Sequence, residues 1–144
     1  MKSKKILISL ALLVAVVCLV AGCGAKSAVS STAATIKVGT EDVITLYSAV
    51  GERAITKGTV VDGKTEVTYG GGNVSIDDLN AYITKLVNEN DFIITKNVST
   101  DEAGGQSYQI GKNATDAGKI VYIDFYFVAD GNTVVTYSQA NGSI

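Results

Sequence analysis

Lys119-Ile-Val-Tyr-Ile-Asp-Phe-Tyr-Phe-Val128 decides the fold. Its apolar residues recur with the two-residue period of an extended strand. Val121, Ile123, Phe125 and Phe127 share one face, and Ile120, Tyr122, Asp124 and Tyr126 share the other. A strand with one greasy and one mixed face belongs in an antiparallel sheet that buries a single side. Ala129-Asp130-Gly131 follows, and then a second β-rich run from about Thr133 to Gln139. A two-residue Asp130-Gly131 turn would oppose Phe127 to Val134. A three-residue loop with Gly131 left-handed would oppose Phe125 to Val135 and Ile123 to Tyr137. The second register gathers the large apolar groups on one face, and it is the one expected.

Upstream, Tyr108 and Ile110 mark a preceding strand, and Phe92, Ile94 and Val98 point one way from another. The polar, Gly-rich segments 99–105 and 111–118 read as loops. Before them lies the clearest helix. Ile76, Leu79, Tyr82, Ile83, Leu86 and Val87 fall at helical spacing. Ser75 stands three residues before Asp78, as in a capping box, and Val74 and Leu79 occupy the hydrophobic-staple positions. Asp77 and Asp78 therefore read as first-turn charges favoured by the helix dipole, not as paired catalytic carboxylates.

Earlier still, segment 54–61 meets segment 65–69 across Asp62-Gly63, a strong hairpin signal. Pairing Val61 with Lys64 places Val60, Val67 and Tyr69 on one face and Lys57, Thr59, Glu66 and Thr68 on the other. Gly70-Gly71-Gly72 lacks a following Gly-Lys-Ser/Thr and reads as a link into the helix, not a phosphate loop. Alternation from Val43 to Val50 predicts the first strand, so the folded part is expected to begin near Asp42. The fold class is then α+β: a single antiparallel sheet of about seven strands, in the order β-β-β-α-β-β-β-β, with one amphipathic helix packed on it.

The amino terminus carries a different signal. Lys2, Lys4 and Lys5 precede an apolar run from Ile6 to Val20, which ends in Leu19-Val20-Ala21-Gly22-Cys23. Basic, then apolar, then small residues is the order of an export signal. The apolar run is shorter than the ~20 residues that a membrane-spanning helix needs. The last five residues resemble the lipobox of bacterial lipoprotein precursors. That resemblance implies cleavage after Gly22 and a diacylglyceryl thioether on Cys23, holding the protein on the extracytoplasmic face of the cell membrane. Two acyl chains anchor stably where one is marginal. Small and polar residues from 24 to about 38 read as a flexible tether. The expected division is a signal peptide over 1–22, the lipidated cysteine and tether over 23–41, and one domain over 42–144.

Composition narrows the function. Removing the signal takes three of the twelve basic residues and none of the fourteen acidic ones, so the remainder is acidic. Such a chain lacks the basic patches that nucleic acid requires and the polybasic cluster that binds anionic lipid. Beyond Cys23 no cysteine remains for a disulfide, so the fold must rest on its core. There is no histidine, which removes the usual general base, the Ser-His and Cys-His nucleophile pairs and the commonest zinc ligand. No Gly-x-Ser-x-Gly or Ser-x-x-Lys motif appears after Cys23. Asp101, Glu102 and Asp116 read as solvated loop charge.

No enzyme, metal or cofactor is expected. The one candidate binding face carries Tyr122, Asp124 and Tyr126: tyrosine combines contact area with a hydroxyl, and Asp124 can accept from a sugar hydroxyl or pair with a cation. The expected protein is a lipid-anchored interaction module that meets an envelope or extracellular protein or a glycan. The alternative is a small-ligand or substrate-presenting lipoprotein with a pocket between helix and sheet.

Overall fold

The computed structural model describes residues 29–144. The expected signal peptide, Cys23 and the first residues of the expected tether lie outside this range. Eight strands and two helices follow in the order β-β-α-β-β-α-β-β-β-β. A two-stranded hairpin, β1 (Thr35–Val38) and β2 (Glu41–Ile44), stands apart from a six-stranded antiparallel sheet. The larger sheet contains β3 (Ile55–Val61), β4 (Lys64–Tyr69), β5 (Ile93–Thr100), β6 (Gln106–Asn113), β7 (Lys119–Phe127) and β8 (Thr133–Asn141). Their order across it is β3-β4-β8-β7-β6-β5. The chain is thus largely sheet with two helices, an α+β protein. The expected single seven-stranded sheet is corrected to six strands plus two.

Strand β7 sits inside the large sheet, between β6 and β8. Its apolar face is buried from Val121 to Phe127, as alternation predicts. Phe125 opposes Val135 and Ile123 opposes Tyr137, the expected register. The turn differs in one detail: Asp130, with φ 59°, takes the left-handed conformation in place of Gly131. The Gly131 N–H closes the turn on the Val128 carbonyl. At the other hairpin Val61 opposes Lys64 as expected, and Asp62 and Gly63 both have positive φ, as a type I′ turn requires. Val60 shares the side of Val67 but stays exposed, because β3 is an edge strand.

The main helix, α2 (Ile76–Glu89), lies on the apolar face. Ser75 Oγ accepts from the Asp78 N–H and Asp78 accepts from the Ser75 N–H, a complete capping box. Leu79, Tyr82 and Leu86 are fully buried, while Ile76 and Val87 are exposed. Tyr82 meets the Phe125 ring edge-on, with centroids 5.9 Å apart. Its hydroxyl donates to the Ile44 carbonyl at 2.6 Å and lies 2.9 Å from that of Tyr137. Two buried hydroxyls are thereby satisfied within one apolar layer.

Two segments depart from the sequence reading. Residues 35–41, read as the end of a tether, form β1, its turn and the first residue of β2, and Ile36 and Val38 are buried in the common core. The strand expected over Val43–Val50 ends at Ile44, and α1 (Leu46–Val50) follows. Thr45 makes the break. Its extended backbone and its Oγ1, donating to the Ala33 carbonyl, redirect the chain so that Leu46 is fully buried against α2. The hairpin and α1 thus cover the part of the sheet that α2 leaves open. No described helix is long and apolar enough to cross a membrane.

Candidate functional site

Among the described residues no second layer covers the opposite face of the large sheet, and the register arranges its side chains in two cross-strand rows. One runs Lys96, Gln109, Asp124, Thr136 and Glu66. The other runs Ser99, Ser107, Tyr126, Val134 and Thr68. Neighbours in such a row stand about 4.5–5.5 Å apart, close enough to share a ligand. Lys96 and Ser99 both reach this face, although an odd spacing normally separates them, because β5 breaks register between Ile94 and Lys96 and again between Lys96 and Ser99. These bulges make β5 the wall of an open groove of about 370 Å³. Its floor includes Asp124, Tyr126, Val134 and Thr136.

Several groups in the groove are fixed. Gln109 Nε2 donates to Asp124 Oδ1 at 2.7 Å, and Gln109 Oε1 accepts from Thr95 Oγ1 at 3.0 Å. Tyr126 donates its hydroxyl to Asp101 Oδ2 at 3.0 Å. The other oxygen of Asp101 accepts from the Ala103 and Gly105 N–H groups. The Gly105 N–H, followed by the Tyr126 hydroxyl, holds the Asp101 carboxyl below its usual range, and the same bond raises Tyr126. A Cβ at Gly105 would meet the Tyr126 hydroxyl and the Asp101 carboxylate, so a larger residue there would displace this pair. Asp101 therefore braces the Tyr126 side chain. Among the described residues no group of three Asp, Glu, Cys or His side chains could hold a metal.

Of the three residues singled out by sequence, the structure brings Asp124 and Tyr126 into the groove. Tyr122 lies on the same face, against Gly111, but does not line it. Sequence reasoning passed over Gln109, Ser107, Val134 and Thr136, although alternation with Tyr108, Ile110 and Val135 places them on this face. Lys96, Asn97 and Ser99 carried no such signal, because bulges abolish the period. A second hollow, about 420 Å³, lies where Val29 and Ser31 cross β3. Between α2 and the sheet, where the alternative reading seeks a pocket, Leu79, Tyr82 and Leu86 fill the space. Cys23 lies outside the described residues.

Comparison with family models, with curated proteins and with solved structures finds no match to this chain.

Proposed function

We propose that this chain is a lipid-anchored, non-catalytic binding module on the extracytoplasmic face of a bacterial cell membrane, and that the groove on its outer sheet face is the recognition site. The groove carries the functional half of the reading: it gathers Asp124 and a braced Tyr126 into one concavity. The localisation rests on the sequence, from the basic cluster at Lys2, Lys4 and Lys5 to the lipobox-like end at Cys23.

The described fold supports a definite posture for such a module. Val29 already packs beside Gly58 of β3, so only residues 24–28 separate it from Cys23. Five residues span at most about 18 Å. In this reading β3 faces the bilayer. The groove wall, β5, is five strand spacings away, roughly 24 Å further out. A ligand-binding lipoprotein with its pocket between helix and sheet has less support, since buried side chains occupy that layer.

The test has two arms. Cys23→Ser should move the protein out of the membrane fraction or leave it unprocessed; unchanged processing and retention would end the lipoprotein assignment. On intact cells, surface ligands captured by the full chain should be lost with Tyr126→Ala. Equal capture by both would remove the groove from the recognition surface.

A further inference from the structure

We infer that the outer-face groove is a site for a neutral saccharide. This deepens the binding-module reading and rests on it. The first observation is charge. Only Lys96 and Asp124 among the lining side chains carry formal charge, one of each sign, and they share one row with Gln109 between them. The groove therefore has no excess of either sign with which to select an ion.

The second observation is the nature of the remaining groups. Tyr108 and Phe125 also border the groove, but their rings stack on each other in the core on the other side of the sheet. Of the groups on the groove side, four are hydroxyls, on Ser99, Ser107, Tyr126 and Thr136, and two are the amides of Asn97 and Gln109. Such groups act as donors and as acceptors, which suits a ligand whose own hydroxyls do both. Asp124 adds a fixed acceptor, since Gln109 occupies Oδ1 and no described side chain bonds Oδ2. The third observation is the apolar part. Val134 and the Tyr126 ring supply a small hydrophobic surface beside these polar groups, matching a molecule with a C–H face and a hydroxyl edge. The groups are also set in advance: Gln109 is held at both ends and Tyr126 by Asp101, which lowers the entropy cost of binding.

Size and shape agree. The volume of about 370 Å³ lies within the range of ligand pockets, roughly 300–1,000 Å³. Because the groove is open along the sheet, a sugar within or at the end of a longer chain can enter. A polypeptide strand adding to β5 is a poorer fit, since the two register breaks interrupt the ladder that it would extend.

The experiment uses the full chain in detergent on an array of neutral, anionic and cationic oligosaccharides, with surface capture on intact cells in parallel. Neutral sugars should bind, and binding should be nearly the same at low and high salt, because screening acts on charges. Asp124→Ala should weaken it about tenfold or more, the loss expected for a hydrogen bond to a charged group. Asp124→Asn, which preserves shape, should also weaken it, and Lys64→Ala at the start of β4 should not. Binding confined to charged sugars, with steep salt dependence, overturns the ligand class. So does neutral-sugar binding that is indifferent to both Asp124 variants. Capture of a surface protein through Tyr126 without any sugar binding also overturns it, yet leaves the module reading standing. Absence of both sugar binding and Tyr126-dependent capture removes the two together.

Discussion

Asp78 shows how much one side chain can join. It closes the capping box on Ser75 and receives Nε and Nη2 of Arg53 at 3.1 and 2.8 Å. Arg53 also donates to the Val50 and Glu52 carbonyls, so the pair ties the end of α1 to the start of α2. The capping half was legible from Ser75-x-x-Asp78. The ion pair was not, because 25 residues separate its partners and nothing local encodes their approach. The Arg53 guanidinium holds the Asp78 carboxyl below its ordinary value of 3.8. A carboxyl depressed on folding contributes stability above its unfolded value, and that contribution is lost as pH falls through the folded value. Asp78→Ala should therefore cost about 1–2 kcal/mol at neutral pH, a lost cap plus a half-buried pair, while Asp77→Ala should stay within about 0.5 kcal/mol. Thermal melts should show the gap between wild type and Asp78→Ala shrinking below pH 4. A gap that persists undiminished to pH 2 would rule out the ionised carboxylate as its source.

At the scale of elements, legibility followed length. The helix 76–89 and strand 119–127 carry enough residues for a period to show; β1 and β2, of four residues each, do not. Thr35-Ile-Lys-Val38 follows a run of small residues and reads as the end of a tether. Yet Ile36 and Val38 are buried, and Glu41 at the far side of the turn accepts from the Thr115 N–H and pairs with Lys112 at 3.6 Å. Ile36→Ala should consequently destabilise the protein by about 2–4 kcal/mol, as for a core truncation. A tether residue would give a change within about 0.5 kcal/mol, and chemical denaturation separates the two. β5 failed for the opposite reason. Its apolar residues are visible, but Ile94 and Val98 are more than 60% exposed, because the strand forms an edge and its bulges turn side chains out of the expected alternation.

Across the whole molecule, sheet width sets the architecture. Six strands place the outermost axes about 24 Å apart, whereas a helix with its side chains is only about 10–12 Å across. One helix leaves much of the apolar face uncovered, and the β1–β2 hairpin and α1 complete the layer. That layer contains most of the tyrosine. Burial pushes Tyr69 up to about 12 and raises Tyr82, Tyr108 and Tyr137 as well. Unfolded tyrosine ionises near 10. The folded chain keeps protons that the unfolded chain releases above that pH, so stability is whole below about 10 and falls as pH rises beyond it. An alkaline titration should give tyrosinate absorbance in two stages, the second together with loss of the folded circular dichroism signal. A single smooth stage for all seven tyrosines with the fold intact would contradict a buried tyrosine layer.

By itself the sequence determined the α+β class, the capped helix, both hairpin registers and two of the groove residues, Asp124 and Tyr126. Each follows from neighbours within a turn or a strand, where backbone geometry fixes which side chains share a face. Tertiary structure alone decided the division into two sheets, the capture of residues 35–41 by the core, the Arg53–Asp78 bond and the bulged wall that makes a flat face a groove. These depend on which distant surfaces must cover one another to leave water, and a local pattern carries no record of that requirement.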